Sequence, residues 1–191
     1  LYKKQKNKSS IVIGHTRWAT HGKPSKKNAH PFIKDDCALV HNGIIENYES
    51  LIIKYKINRK LLKSETDTEV IVEIFNQLYK KIKNPSKILS KISKDIKGTY
   101  AFALLVNNTK KIYATVKSSP LIIGLGENEI SLSSDILGLP KTCKKVIYLE
   151  DNDIIELSFN KYKILNNNKI QKKEIHEHVG SSRSINKGKF K

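Results

Sequence analysis

The apolar pattern predicts an α+β fold built on antiparallel sheets. Helical periodicity is confined to the middle of the chain, roughly residues 44–96. Short runs of β-branched and aromatic residues lie on both sides of that block, separated by brief polar connections. There is no internal repeat and no alternation of strand and helix, and such segregation argues against a parallel, doubly wound sheet.

The elements follow in order. Residues 1–10 form a polar, basic lead-in, and residues 11–15 read as a strand. A second strand is expected over residues 37–41, ended by Asn42-Gly43. Asn-Gly is a strong hairpin signal because both residues tolerate positive φ. Residues 44–55 read as a helix with Ile45, Leu51, Ile52 and Tyr55 on its apolar face. Thr66 and Glu69 have the spacing of a capping box. They open a helix to about Lys83, with Val70, Ile74, Leu78 and Ile82 spaced by four. Asn84 and Pro85 start a third helix, with Ile88, Leu89, Ile92 and Ile96 as its stripe. From Gly98 the period becomes two. Strands are expected over residues 99–106, 112–116, 121–124, 129–132, 146–149, 154–157 and 162–165, with one helical turn over 134–139. Residues 1–170 are thus one domain, and the polar, basic residues 171–191 are a linker or tail.

Composition narrows the classes. A chain of 191 residues that is 38% hydrophobic can bury one sizeable core. No run approaches the ~18 apolar residues of a membrane span, and no secretory signal is legible. Cys37 and Cys143 are too few for a disulfide framework and read as buried thiols, which fits a cytoplasmic protein. The net charge of +18 invites a nucleic-acid reading, but the only arginines are Arg17, Arg59 and Arg183, and lysines are spread throughout. A dedicated nucleic-acid surface clusters its cations and uses Arg and aromatics. No specific nucleic-acid partner is expected, only nonspecific polyanion binding at low salt. The chain starts at Leu1 and contains no Met, so it reads as a fragment.

Function concentrates in one stretch, GHTRWATHGKPSKKNAH, from Gly14 to His30. It holds three His, one Arg and the only Trp, on a loop between two expected strands. Loops carry binding groups while strands hold them still. A metal site is the competing reading of His15, His21, His30 and His41, but neither HExxH nor CxxC spacing is present. Gly124-Leu125-Gly126 lacks the rest of a dinucleotide fingerprint, so no metal and no cofactor is expected.

That stretch, followed in order by VHNGIIENY, SETDTEV, SSPLIIGLGENE, SSDILGLP and YLEDNDI, resembles the glutaminase domain of class II glutamine amidotransferases. Within the class, Trp18 and Ile44-Ile45-Glu46-Asn47 are most similar to the branch that converts fructose 6-phosphate to glucosamine 6-phosphate. The resemblance implies a four-layer αββα sandwich of the N-terminal-nucleophile (Ntn) hydrolase type, here without its N-terminal segment. It implies a mechanism in which an N-terminal Cys attacks the side-chain amide of glutamine and the released ammonia passes to a sugar isomerase domain. It also implies a homo-oligomer formed through that second domain.

The resemblance assigns roles residue by residue. Arg17 would pair with the α-carboxylate of glutamine, and Asp67 with its α-ammonium. Asn42 and Gly43 would form the oxyanion hole. Thr20 and His21 would contact glutamine, Trp18 would cover the site, His30 would support the nucleophile and Gly22 would let the loop hinge. His15 and His41 are left as structural strand residues. Each role has a plainer counterpart: a surface salt bridge for Arg17, the helix dipole for Asp67, a hairpin for Asn42-Gly43. No nucleophilic Cys matches in this chain, because Cys37 lies inside an expected strand with no cation or amine beside it. The fragment alone is therefore expected to be inactive. The alternatives are a nonenzymatic glutamine-binding or scaffold remnant and a basic polyanion-binding protein.

Overall fold

The computed structural model describes residues 10–16 and 22–178. Among these, two antiparallel sheets and three α-helices form the molecule. The strands are β1 (Phe32–Lys34), β2 (Cys37–Ile45), β3 (Gly98–Val106), β4 (Lys111–Lys117), β5 (Ile122–Leu125), β6 (Ile130–Ser133), β7 (Lys145–Tyr148), β8 (Ile154–Ser158), β9 (Lys161–Asn166), β10 (Lys169–Gln171) and β11 (His176–Glu177). The helices are α1 (Tyr48–Lys54), α2 (Asp67–Ile82) and α3 (Pro85–Ser93). The larger sheet has the order β1-β2-β3-β4-β8-β9-β10, and the smaller has the order β11-β7-β5-β6.

The helices cover one face of the larger sheet. Helix α2 packs on β1 and β2 and is flanked by α1 and α3, while α3 also reaches β4 and β8. This central place explains why burial on α2 extends beyond one stripe to Val72, Glu73 and Asn76. Its polar members are paired: Glu73 with Lys34 at 2.9 Å, and the Asn76 amide donating to Asp35 at 3.0 Å. Phe75, Tyr100, Phe102 and Leu104 fill the helix–sheet core. The opposite face of the larger sheet meets the smaller one through Ala101, Ala114, Val116, Ile123, Ile147 and Ile155. Outside the smaller sheet, Ile122 and Val146 are covered by Leu139 and Cys143. Among the described residues this outer layer holds only a 3-10 turn, Ile136–Gly138.

Four expectations are corrected. Residues 10–16 run extended without forming a regular strand: Ile11, Ile13 and His15 are more covered than Val12, Gly14 and Thr16, an alternation typical of extended chain. Asn42-Gly43 does not end a strand. β2 continues to Ile45, with Asn42 opposite Ala101 and Gly43 opposite Tyr100. Consequently α1 begins at Tyr48 rather than residue 44. The capping box does not close. Thr66 is the N-cap, but its side chain makes no cap bond, and Glu69 accepts from the Lys63 and Ser64 N–H groups instead. Its carboxylate reaches past Thr66 because the chain there folds into a Ser64–Thr66 hydroxyl turn.

The expected linker or tail from residue 171 is also corrected over its described part: Gln171 closes β10, and beyond it the chain crosses from the larger sheet to the smaller one instead of leaving the domain. Lys173 pairs with the fully buried Asp153 at 3.0 Å and also with Glu150. β11 then joins the ladder through His176, opposite Val146. No described helix is long and apolar enough to cross a membrane.

Candidate active site

The centre of β2 is where sequence and backbone geometry meet. Gly43 has φ +135°, and a Cβ there would lie 2.1 Å from the Thr99 carbonyl oxygen. Only glycine fits so close to a neighbouring strand in that conformation. Asn42, beside it, is exposed although it sits in a central strand.

Asn42 opens onto a cavity of about 500 Å³ between the sheets. Small side chains make the room: Ala101 and Ala103 form part of the wall, beside Val40 of β2. His15, Thr16, Ser133 and Asp135 add polar groups. A concave, mainly apolar space with a few polar groups is what a small-molecule site requires.

The other face of β2 is tied to the start of α2. The buried Asp67 carboxylate accepts from the Ile45 N–H through Oδ2 at 2.7 Å. Its neighbour Thr68 places Oγ1 2.9 Å from His41 Nδ1. Two consecutive helix residues thus hold β2 on either side of Asn42-Gly43. A third tether comes from the loop: His30 Nε2 lies 3.2 Å from the same Thr68 oxygen. His15 meets His30 edge-on, with ring centroids 4.4 Å apart.

Asn28 anchors the rest of the loop. It is fully buried. Its amide donates to Lys23 O at 3.0 Å and to Glu65 at 3.3 Å, and its carbonyl accepts from the Glu65 N–H at 3.1 Å. Gly22, at φ +75°, lies against this side chain, where a Cβ would come within 2.6 Å of Asn28 Nδ2.

The structure places His30 and Asp67 on the helix-facing side of β2, at its junction with α2, and Asn42 on the opposite side, toward the cavity, with Gly43 next to it in the strand. Arg17, Trp18, Thr20 and His21 lie outside the described residues. Asn28 and Thr68 were missed. Thr68 stands beside Asp67 in the SETDTEV block, the one available signal, while Asn28 has none in its local pattern. His15 is not in a strand, and His41 is in one but bonded to α2. Cys37 and Cys143 are buried free thiols. Burial, then Asp36 and Asp35, push the Cys37 thiol up to about 12. Burial also raises Cys143. Neither is a poised nucleophile.

Two solved structures share this fold. The glutamine phosphoribosylpyrophosphate amidotransferase from B. subtilis, complexed with ADP and GMP, matches 80% of this chain and 34% of its own, with a TM-score of 0.62 at 21% identity. A structure described as the allosteric regulatory enzyme of purine biosynthesis matches the same shares with a TM-score of 0.63. At 21% identity the likeness to both is one of fold alone. The family model described as the glutamine amidotransferase domain matches residues 3–190, and the chain belongs to that family.

The more similar relatives are more particular. Glutamine–fructose-6-phosphate aminotransferase (isomerizing) of Buchnera aphidicola subsp. Baizongia pistaciae is 42% identical over 174 residues, 89% of this chain and 28% of that protein. The enzyme of the same name from Aquifex aeolicus is 44% identical over 79% of this chain and 26% of its own. That from Wigglesworthia glossinidia brevipalpis is 39% identical over 100% of this chain and 32% of its own. The chain thus spans under a third of the length of these relatives.

Proposed function

We propose that this domain hydrolyses the side-chain amide of glutamine. In the full-length protein, the ammonia converts fructose 6-phosphate to glucosamine 6-phosphate. The observation that carries the reading is the Asn42-Gly43 step, held inside a strand between His41 and Ile45 at the mouth of a cavity. An amide side chain and a backbone N–H at one point are the donors an oxyanion needs. Asp67 takes the α-ammonium of glutamine and Arg17 the α-carboxylate, a planar guanidinium being suited to two oxygens. Trp18, Thr20 and His21 complete the glutamine pocket, and His30 supports it.

The attacking thiol is neither Cys37 nor Cys143, given their burial. The 191-residue polypeptide alone is accordingly inactive. The ammonia is used by a sugar isomerase domain of the full-length protein, through which the cytoplasmic protein forms a homo-oligomer.

The test uses the full-length protein carrying this domain. Incubated with glutamine, it releases glutamate and ammonia, and with fructose 6-phosphate it forms glucosamine 6-phosphate. Asn42→Ala lowers kcat for glutamate release by about 10²–10³-fold, the usual cost of one oxyanion donor. Absence of glutamate from the unmodified protein overturns the proposal.

A further inference from the structure

We propose that Thr68 is a positioning residue that sets the oxyanion strand, the ammonium-binding carboxylate and the glutamine loop relative to one another. The inference rests on the amidotransferase reading above and assigns Thr68 a part in it.

A threonine hydroxyl has one proton to donate and two lone pairs to accept with. All three capacities are met here. Thr68 Oγ1 donates to Asp67 Oδ1 at 3.3 Å. The two imidazole nitrogens, His41 Nδ1 at 2.9 Å and His30 Nε2 at 3.2 Å, then both face it as donors. Thr68 is 1% exposed, so water does not stand in for any of these bonds. The three partners come from three segments: β2, the loop before β1, and the first turn of α2.

The geometry makes the effect specific. His41 immediately precedes Asn42 on β2, and Asp67 immediately precedes Thr68 on α2. Moving the hydroxyl moves the oxyanion donors and the carboxylate against each other. A purely structural threonine could be replaced by valine, which has the same shape and fills the same space. A positioning hydroxyl cannot, because valine leaves the ring N–H of the buried His41 and that of the half-buried His30 facing a methyl group.

The inference also fixes the ring tautomers. With the Thr68 proton on Asp67, His41 carries its proton on Nδ1 and His30 carries one on Nε2.

The experiment compares unmodified, Thr68→Val and Thr68→Ser forms of the full-length protein in glutamine hydrolysis. The valine variant is expected to keep a cooperative thermal transition and lose about 10–100-fold in kcat/KM, with kcat lowered and KM for glutamine raised. Serine restores both to within about threefold. A folded valine variant with unchanged kcat and KM overturns the inference, even if its melting temperature falls. Histidine-labelled nitrogen NMR on the unmodified protein covers the case in which valine prevents folding. Nδ1–H on His41 with Nε2–H on His30 supports the arrangement, and Nε2–H alone on His41 overturns it. An unmodified protein that does not hydrolyse glutamine overturns the proposed function, and with it the catalytic meaning of Thr68. Hydrolysis that is indifferent to Thr68 overturns this inference alone.

Discussion

The two faces of β2 and β3 are made by the same strands and are opposite in kind. Toward the helices, Leu39, Ile45, Tyr100, Phe102 and Leu104 are almost completely buried. Toward the second sheet, Val40, Asn42, Ala101 and Ala103 border open space. Alternation along a strand lets one backbone serve both purposes. The helix face supplies stability. The sheet face gives up close packing, leaving room for a ligand beside an exposed amide. What joins the two is the His41–Thr68 contact, where a helix-side bond fixes the residue next to Asn42.

The sharpest way to break this comparison is Gly43→Ala, because Gly43 sits beside the exposed Asn42 with no room for a side chain against β3. The new methyl would meet the Thr99 carbonyl at 2.1 Å in a conformation that L residues rarely adopt. Strain and displaced ladder bonds act together, so we expect loss of cooperative folding or loss of glutamate release beyond 100-fold. Thermal denaturation and a glutamine assay on the full-length protein read both. A stable, active variant would show that β2 relaxes locally and that its twist is not tied to the site.

A paired substitution sharpens the contrast. Phe75→Ala, in the helix–sheet core, is expected to cost about 3–5 kcal/mol of stability. Ala103→Leu, on the cavity wall, adds volume where space is already open. It should cost less stability than Phe75→Ala and reduce glutamine turnover at least tenfold by filling the cavity. Denaturant titration beside kinetics separates the two. If Ala103→Leu destabilises as strongly as Phe75→Ala, the faces do not differ in the way described.

How much of this was legible depended on periodicity. The spacing of Val70, Ile74, Leu78 and Ile82 located α2, and Asn84-Pro85 located the start of α3, where the Asn84 side chain accepts from the Lys87 N–H. Asn42-Gly43 misled for a physical reason. The residues that tolerate a turn are also those that tolerate a distorted strand, and only the neighbour Tyr100 decides between the two. Residues 11–15 alternate as a strand does, yet alternation marks extended chain and does not decide whether that chain joins a ladder. Asn42, Gly43, Asp67 and His30 could be named from motif resemblance. Thr68 and Asn28 could not, because their roles come from partners about 40 residues away in sequence: Thr68 lies 38 from His30, and Asn28 lies 37 from Glu65.

The weakest effect concerns the two thiols, which test whether the closed faces stay closed. Cys37 belongs to the helix–sheet core, and Cys143 lies under the outer face of the smaller sheet. Burial raises the Cys37 thiol from 9.0 to about 12, so the folded state holds the proton that the unfolded state releases first. The linkage sign follows: this contribution to stability is complete below pH 9.0 and is lost as pH rises toward 12. In the native protein at pH 8, both thiols should react with an alkylating reagent far more slowly than in denaturant, where both become accessible. The labelling is read peptide by peptide by mass spectrometry, so that Cys37 and Cys143 are followed separately. Rapid native labelling at Cys37 would mean that the β1–β2 edge opens readily. The helix face would then be less rigid than its burial implies, and the clamp at His41 and Ile45 could not hold Asn42 still.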